Sequence, residues 1–406
     1  MSALPASRAG DRLLVLNCGS SSIKFALFDT TAPPLPRQPV WSGKVEGITA
    51  ASPRYEASGE PDATLALDAT DPYTGALMHI RARLQARLGD RRLAAVAHRV
   101  VHGGSKYFAP VRVDATILAD LRSYIPLAPL HQPFALEAIE ALLGLHPDLP
   151  QVACFDTAFH HTIPKVEQML PLPRGLWEEG LRRYGFHGLS YAYMATVLAE
   201  RYGDAARGRT ICAHLGSGAS LCAMHGLRSV ATTMGFSALD GLMMGTRCGA
   251  LDPGALLYLM QVRGLDVGAV GQMLYHRSGL LGVSGVSGDP RELLPREGEP
   301  AVREALALYV RRIVREIGAL AAVLGGLEML VFTAGIGEHN AVIRERVCDA
   351  LGWLGVALDS GANAVHAAVI SAPESRVRVV VEPTNEEWIA AHAALDLLQG
   401  GRSASD

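Results

Sequence analysis

The stretch Leu13–Asp29, LLVLNCGSSSIKFALFD, consists of two apolar runs joined by a short turn. Both runs have the composition of β-strands, so the stretch predicts a hairpin whose turn is Asn17–Ser22. Such a turn offers backbone N–H groups, hydroxyls and an amide oxygen, which suit a phosphate oxygen or a hydrated Mg²⁺. Lys24 adds a positive charge, and it is one of four lysines against thirty-three arginines. For this stretch alone, an ordinary hairpin with a serine-rich loop stays an open alternative.

Two further glycine turns strengthen the phosphate-binding interpretation. From Thr210 the chain reads TICAHLGSGASLCAMHGL, again two apolar runs around a turn, Gly216–Gly218. The apolar run Glu328–Phe332 leads into TAGIGEH, Thr333–His339, which predicts a turn that opens a helix at Asn340. Neither the Walker pattern nor the dinucleotide fingerprint is present in these turns.

The composition predicts two domains and a small substrate. A chain of 406 residues that is 49% hydrophobic can bury two cores, because single domains seldom grow beyond about 250 residues. The net charge of −3 and the scattered arginines argue against nucleic acid or an anionic membrane as the main partner.

The cysteines and the terminus predict a protein of the reducing cytoplasm. The six cysteines show neither paired spacing nor a metal-ligand motif, so we expect neither disulfides nor a zinc site. The first ten residues contain no apolar core of a signal peptide, and the apolar stretch Leu320–Phe332 is interrupted by two glycines and Glu328. We therefore expect neither export nor a membrane span.

Helix and strand patterns alternate in each half of the chain. In the first half, Asp114 is a good N-cap, Pro133 can open a helix, and Gln151–Phe155 reads as a strand. The second half repeats this order after the turn at Gly216, with a long helix from about Ala301 and a last helix after Pro383. This repetition predicts a duplicated α/β fold with a cleft between the halves.

Four charged side chains are predicted to follow strands: Arg99, Asp156, Arg247 and Glu386. Ligands of open α/β sheets bind at the carboxyl ends of the strands, so we expect these side chains to face one crevice. A single charged residue at such a position is more often a solvated loop residue, but four beside three glycine turns favour a site.

Histidines near the middle of the chain have two different interpretations. His187 lies between glycines in YGFHGLS, just before a helix that Ser190 can cap, and its imidazole suits a developing phosphoryl oxyanion. The adjacent pair His160 and His161 is interpreted as structural, because neighbouring residues of an extended segment point apart and cannot share a metal.

These motifs resemble those of the acetokinase family, within the superfamily of sugar kinases, Hsp70 and actin. The matching stretches are LVLNCGSSSIKF from Leu14, HRVVHGG from His98, APLHQP from Ala128, FDTAFH from Phe155, YGFHGLSY from Tyr184, HLGSG from His214, GLMMGTRCG from Gly241, AGIGE from Ala334 and PTNEE from Pro383. They occur in order over nearly the whole chain.

The resemblance implies two duplicated actin-like (ribonuclease H-like) domains with a central catalytic cleft. It places an N-terminal domain at residues 11–156 plus 387–402 and a C-terminal nucleotide-binding domain at 157–386. The implied reaction is reversible phosphoryl transfer from ATP to acetate, giving acetyl phosphate and ADP, with Mg²⁺, or Mn²⁺ as an alternative. A carboxylate acceptor is already ionised at neutral pH, so the enzyme needs positioning and charge neutralisation rather than a strong base. A cytoplasmic homodimer is implied, without membrane or nucleic-acid partners.

The resemblance also assigns roles to individual residues. Asn17 and Glu386 would hold the metal, and Asp156, His187 and Arg247 would be catalytic. Binding of the carboxylate and its acyl group would fall to Arg99, Val101, Leu130, Phe186 and Ala238. The nucleotide would be bound by Ser20, Ser22, Lys24, His214, Leu215, Gly216, Ser217, Gly218, Asp289, Pro290, Arg291, Gly335, Ile336, Gly337, Glu338 and His339.

Departures from the family pattern leave two alternatives open. The family usually has asparagine where Ser217 and His339 stand, an acidic residue at Ala250, and proline at Ala238. Without the proline ring the acyl pocket would be roomier, so one alternative is a propionate kinase. An alternative from another class is an actin-like nucleotide-binding ATPase or switch without a carboxylate acceptor, which would not need Arg99, His187 and Arg247 together.

Overall fold

A computed structural model describes residues 11–19, 21–31, 33–129 and 131–400. Two of the predicted site residues, Ser20 and Leu130, lie outside these described residues. The chain forms two compact units. The first runs to Ala158 and resumes at Asn385, and the second is Phe159–Thr384. The domain boundaries predicted at 156/157 and 386/387, and the cleft, stay predictions.

Two sheets and their helices account for most of the described chain. The strands are β1 (Arg12–Cys18), β2 (Ser22–Asp29), β3 (Trp41–Glu46), β4 (Arg54–Ala57), β5 (Ala63–Thr64), β6 (Leu93–Val100), β7 (Val111–Arg112), β8 (Gln151–Phe155), β9 (Thr210–Leu215), β10 (Ala219–His225), β11 (Arg228–Thr232), β12 (Met329–Thr333) and β13 (Arg378–Val381). The helices are α1 (Pro72–Leu88), α2 (Ala115–Arg122), α3 (Gln132–Leu145), α4 (Lys165–Gln168), α5 (Arg174–Glu178), α6 (Gly188–Tyr202), α7 (Pro253–Gln261), α8 (Val267–His276), α9 (Gly279–Ser284), α10 (Pro290–Leu293), α11 (Pro300–Leu324), α12 (Ala334–His339), α13 (Ala341–Asp349), α14 (Ser360–Ala364) and α15 (Glu386–Leu398).

The first unit is built on one sheet of the order β5-β4-β3-β2-β1-β6-β8-β7. The predicted hairpin is confirmed, since β1 and β2 pair antiparallel from Arg12 opposite Asp29 to Cys18 opposite Ile23. On its other side β1 pairs parallel with β6, which pairs parallel with β8. Alternate residues of β1, including Leu14 and Leu16, pack with α1 and α3 in an apolar core.

The second unit repeats this arrangement of strands in a sheet of the order β11-β10-β9-β12-β13. Three antiparallel strands are followed by two parallel ones, as in β3-β2-β1-β6-β8 of the first unit. The predicted turn at Gly216 joins β9 to β10, in the place that the serine-rich turn has between β1 and β2. The duplicated α/β fold inferred from the repeated pattern of motifs is therefore confirmed.

Helix ends follow the sequence signals in most places. Asp114 caps α2 as predicted, and Asp252 caps α7 in the same way, each through a side-chain oxygen that accepts from a backbone N–H group. Two predictions were wrong. The stretch after Thr333 is not a turn but the short helix α12, and Ser190 does not cap α6, because the helix begins two residues earlier, at Gly188.

Every cysteine of the chain lies within the described residues. All six cysteines are free thiols, and five of them are buried. Among the helices that the structure describes, none is both long enough and apolar enough to cross a membrane.

Buried neutral histidines predict acid lability of the first unit. His98 is buried and its Nε2 is hydrogen-bonded to Gln151 Oε1 at 2.8 Å. Burial lowers the pKa of His98 to about 4, so between this value and about 6.5 the unfolded chain binds more protons. Its contribution to stability is complete above about pH 6.5 and is lost as the pH falls towards 4.

We expect His98→Asn to flatten this pH dependence. The slope of the unfolding free energy against pH, between pH 5 and 6, would fall by up to about 1.4 kcal/mol per pH unit. This value corresponds to the uptake of one proton on unfolding. Urea unfolding at several pH values measures the slope. His146→Asn, at an exposed position of the same unit, is the control. An unchanged slope in His98→Asn would contradict a neutral buried imidazole.

Candidate active site

Strand pairing in the first unit sets three predicted site residues in one row. Asn17 of β1 is directly opposite Lys24 of β2, and cross-strand partners project from the same face of a sheet. On the other side of β1, the Arg99 guanidinium donates from Nη1 to Asn17 Oδ1 at 3.1 Å. The hairpin and the neighbouring parallel strand therefore place an amide oxygen and two cationic groups along one line of the sheet.

Arg99 is held by a buried carboxylate. Its Nε donates to Asp156 Oδ1 at 3.1 Å and to Oδ2 at 3.0 Å, and Nη2 completes the ion pair with Oδ2. Asp156 directly follows β8 and only 1% of its surface is exposed, whereas Arg99 lies inside β6, one residue before its end. The guanidinium fork is therefore engaged by Asp156, and its remaining Nη N–H groups are those with which it could bind a carboxylate. Val101, directly after β6, is half-buried.

Glu386 begins α15 and approaches the same ion pair. Its Oε2 lies 4.0 Å from Arg99 Nε. The pKa of Glu386 is raised to about 7, chiefly by burial and also by the Asp156 and Glu387 carboxylates, whereas Arg99 and Lys24 lower it. A crowded, partly desolvated carboxylate pair is an environment in which a divalent cation would stabilise the ionised forms.

The first unit can supply the oxygen ligands of a magnesium ion. Asn17, Asp156 and Glu386 offer an amide and two carboxylates, which are hard donors of the type that Mg²⁺ prefers. Within the described residues, no three histidine, cysteine or acidic side chains cluster as a metal site. A small protein contribution fits Mg²⁺, which commonly keeps water and substrate phosphate ligands. The residues present therefore fit the ion that the resemblance implies.

In the second unit, His187 has a strained backbone at the start of α6. Its φ of 60° lies in the left-handed region, which costs a non-glycine residue about 1 to 2 kcal/mol. Its Nδ1 is hydrogen-bonded to Ser220 Oγ at 2.8 Å, and Tyr191 OH is hydrogen-bonded to the same oxygen at 2.6 Å. The ring stacks on that of His214, with centroids 4.1 Å apart. These contacts fix the direction of the imidazole.

A second chain of hydrogen bonds supports His214. Its Nδ1 is hydrogen-bonded to Ser190 Oγ at 2.8 Å, and that oxygen is hydrogen-bonded to Thr384 Oγ1 at 2.9 Å. Ser190, wrongly predicted to be the cap of α6, thus orients a histidine instead. Sequence reasoning missed the supporting roles of Ser220, Tyr191 and Thr384, because nothing in a local motif shows which distant hydroxyl will meet a ring.

His187 and Arg247 converge on the glycine turn between β9 and β10. A Cβ atom built at Gly218 would lie 3.5 Å from His187 Nε2 and 3.6 Å from Arg247 Nη1. Arg247 was predicted to follow a strand directly, and this was wrong. It lies in the loop between β11 and α7. That loop is tied to the turn by the Gly245 N–H, which donates to Ser217 O at 3.1 Å. The glycine turn therefore lies beside two side chains that can stabilise negative charge.

We expect Gly218→Ala to lower kcat because its methyl group would enter this space. Every contact of the added Cβ is longer than 3.4 Å, so stability should change little. A misplacement of the reacting groups by about 1 Å can lower the rate about 10²-fold. Steady-state kinetics and thermal unfolding measure the two effects. Gly271→Ala, with no neighbour within 4 Å, is the control, and equal kcat values for both variants would contradict convergence on Gly218.

Other predicted site residues of the second unit occupy defined positions. Arg247 Nη1 also donates to Ala238 O at 3.2 Å. Phe186 is buried, and its carbonyl is hydrogen-bonded to His160 Nε2 at 2.9 Å, which agrees with a structural role for His160. Asp289 caps the short helix α10 and pairs with Arg291 at the protein surface. Leu215 ends β9 and is buried.

Arg344 is a buried cation near the third glycine stretch that sequence reasoning missed. Its five N–H groups donate to Asn363 Oδ1, Asn363 O, Gly337 O, Glu338 O and His366 Nδ1, at 2.8 to 2.9 Å. None of these acceptors is a carboxylate. Arg344 therefore fixes the last carbonyls of α12, where a positive charge also interacts favourably with the helix dipole.

Comparison with known proteins agrees with this geometry. The model of the acetokinase family matches residues 12–392. An acetate kinase of Rhodopseudomonas palustris (strain ATCC BAA-98 / CGA009) is 50% identical over 398 residues, covering 97% of this chain and 100% of that protein. An acetate kinase of Nitrobacter hamburgensis is 46% identical over 401 residues, with 97% and 98% covered.

Solved structures give the same result. The acetate kinase of Porphyromonas gingivalis superposes with a TM-score of 0.85 at 36% identity, covering 96% of this chain and 100% of that chain. A propionate kinase of Francisella tularensis superposes with a TM-score of 0.86 at 34% identity, with 94% and 98% covered. With a family model that spans nearly the whole chain and relatives at 50% identity over their full length, the chain belongs to the acetokinase family.

Proposed function

We propose that the chain is an acetate kinase, which transfers the γ-phosphoryl group of ATP to acetate and gives acetyl phosphate and ADP reversibly. The observation that carries the proposal is the convergence of His187 Nε2 and Arg247 Nη1 beside Gly218. Positive charge and N–H donors around a phosphate-sized space are what phosphoryl transfer requires. Full-length relatives that are named acetate kinases support the choice of acceptor.

The acceptor chemistry explains why the first unit contains an arginine and carboxylates. Acetate is ionised at neutral pH and is its own nucleophile, so no residue has to remove a proton. Arg99 would orient it through the guanidinium N–H groups that Asp156 leaves available. Asp156 would thus position Arg99.

Mg²⁺, or Mn²⁺ in its place, would be held by Asn17 and Glu386. Bound there with the nucleotide, the ion would neutralise phosphate charge. The Glu386 carboxylate, at the start of α15, lies 4.0 Å from Arg99 Nε in β6, so the proposed metal ligand and the proposed acetate ligand are neighbours. Lys24, opposite Asn17, would add charge toward the phosphates.

In the second unit, the proposed roles are donation to the phosphoryl group by His187 and Arg247 and nucleotide binding by the two glycine stretches. The turn Gly216–Gly218 would present the backbone N–H groups of Ser217 and Gly218, since the Gly216 N–H donates to Gly218 O at 3.1 Å. Helix α12 and Asp289–Arg291 would bind the rest of the nucleotide. His187 is already fixed by Ser220 and by stacking on His214, so little reorganisation is needed when charge develops.

Propionate is not the favoured acceptor. Relatives at 46 to 50% identity are named acetate kinases, whereas the propionate kinase structure is 34% identical. Release of ADP from ATP, measured with acetate, propionate, butyrate or no carboxylate, tests the proposal. We expect acetate to give the highest kcat/KM. Release of ADP that does not depend on a carboxylate would instead favour a nucleotide-binding ATPase or switch.

We propose a homodimer, formed through the apolar helix α7. Within the described chain, none of the nine residues of α7 is buried. Leu257, Tyr258 and Met260 are 55%, 52% and 37% exposed, and Val262 just beyond the helix is 66% exposed. Exposed large apolar side chains at neighbouring positions are typical of an interaction surface, and a second copy of the chain is the occupant that the family resemblance supplies.

Light scattering tests the dimer through Leu257→Glu. We expect the wild type at about twice the chain mass of 43.1 kDa and the variant near one chain mass, because a carboxylate would be desolvated in the interface. Val166→Glu, outside α7 and 77% exposed, should stay dimeric. A monomeric wild type, or a dimeric Leu257→Glu, would contradict the assigned interface.

We also propose that the protein acts in the cytoplasm. Its six cysteines are free thiols, and a reducing compartment keeps thiols in that state.

A further inference from the structure

The carboxylate of Glu338 holds the backbone at two separate places. Its Oε1 accepts from the Ala334 N–H at 2.8 Å and from the Thr384 N–H at 3.1 Å. Ala334 begins α12, and Thr384 follows β13. The carboxylate oxygen is thus directed back at the protein, although the family resemblance implies that Glu338 binds the nucleotide.

The first contact supports a strained residue. Ala334 has a φ of 65°, in the left-handed region, and it is buried. An alanine in this conformation persists only where its surroundings stabilise it. The hydrogen bond from Ala334 N–H to Glu338 supplies such support at the start of the helix that contains Gly335–His339.

The second contact leads to the histidine pair. The Thr384 hydroxyl is hydrogen-bonded to Ser190 Oγ at 2.9 Å, and Ser190 Oγ to His214 Nδ1 at 2.8 Å. The His214 ring stacks on His187 with centroids 4.1 Å apart. An unbroken series of contacts within the second unit therefore runs from Glu338 to the imidazole that faces Gly218.

We propose that Glu338 is a positioning residue, which sets the orientation of His187 by fixing the backbone of Thr384. The inference rests on the proposed function for its effect on rate. A carboxylate placed against the nucleotide phosphates would repel them, whereas one bound to two backbone N–H groups fixes the glycine stretch and the histidine pair together. Glu338 thus joins the two parts of the second unit that the reaction needs.

The test compares Glu338→Ala with Glu338→Gln. The glutamine amide oxygen can accept both N–H groups, so we expect kcat within about threefold of the wild type, and a loss of about tenfold or more in Glu338→Ala with a smaller change in the nucleotide KM. Glu374→Ala, an exposed glutamate of the same unit, is the control. A glutamine variant as slow as the alanine variant would show that the charge matters and would overturn the proposal.

A second comparison follows the path through Thr384 without relying on a single variant. Thr384→Val keeps the N–H that Glu338 binds but removes the hydroxyl that reaches Ser190. If Glu338 acts through this hydroxyl, the losses in kcat from Glu338→Ala and Thr384→Val will be clearly less than multiplicative in the double variant. Multiplicative losses would overturn the path.

Histidine NMR keeps this inference separate from the proposed function. Spectra of ¹⁵N-histidine-labelled protein without substrate record the His187 and His214 rings even if the wild type forms no acyl phosphate. We expect both rings to shift in Glu338→Ala and Thr384→Val but not in Glu374→Ala. Unchanged ring signals in both variants would overturn the proposal, whereas an inactive wild type with shifted rings would contradict only the function.

Discussion

Replacing Arg247 with alanine is expected to lower kcat by about 10²- to 10³-fold, or about 2.7 to 4 kcal/mol, while the KM for acetate changes little. The physical reason is that Arg247 Nη1 lies beside the Gly218 turn. There it would stabilise negative charge that develops on the transferring phosphoryl group only in the transition state. Steady-state kinetics with acetate and ATP each varied separate the two constants.

The Arg247 experiment has a matched control and a stability check. Arg263→Ala, an exposed arginine of the same unit, should leave kcat unchanged. Because Arg247 also donates to the carbonyl of Ala238, thermal unfolding must show that the variant keeps its fold. A higher KM for acetate at unchanged kcat would place Arg247 in ground-state binding and contradict its assigned role.

Replacing Arg99 with alanine is expected to destabilise the first unit by about 3 to 5 kcal/mol and to raise the KM for acetate more than it lowers kcat. The change leaves the carboxylate of Asp156, which is 1% exposed, without its bidentate partner. It also removes the Nη1 donor to Asn17. Urea unfolding measures the loss of stability, and kinetics on the remaining folded protein measure KM.

A double variant distinguishes the structural and the binding roles of Arg99. In Arg99→Met with Asp156→Leu, apolar side chains of similar size replace the buried ion pair, so most of the lost stability should return. Binding of the carboxylate should not return. A double variant no more stable than Arg99→Ala would mean that the loss does not arise from an unpaired Asp156, and recovery of acetate binding would rule out Arg99 as its ligand.

Local signals in the sequence predicted most of the fold. The two hairpins around Asn17–Ser22 and Gly216–Gly218 were recognisable because apolar runs of strand length flank residues suited to turns. Caps such as Asp114 act within one helical turn, so a single sequence suffices to find them. The stretch after Thr333 was predicted wrongly because two glycines normally argue against a helix, whereas Glu338 and Arg344 stabilise one there.

The candidate site was predictable only where strands position it. Asp156 directly follows β8, and Arg99 lies one residue before the end of the neighbouring strand β6. Because parallel strands end at one edge of a sheet, the sequence could predict that the two side chains lie close together. Arg247 lies in a loop without periodicity, and its place beside Gly218 depends on backbone contacts such as Gly245 to Ser217. The contact of His187 with Ser220 joins residues 33 positions apart, which no local pattern indicates.

The most direct test of the central claim is the formation of an acyl phosphate, trapped with hydroxylamine as the hydroxamate. Purified protein with ATP, Mg²⁺ and acetate is predicted to give acetohydroxamate in equal amount to ADP. Omission of the carboxylate, the nucleotide or the metal should abolish the product, and propionate should give less than acetate at equal concentration. Release of ADP without hydroxamate, or at a rate that does not depend on acetate, would contradict the assignment.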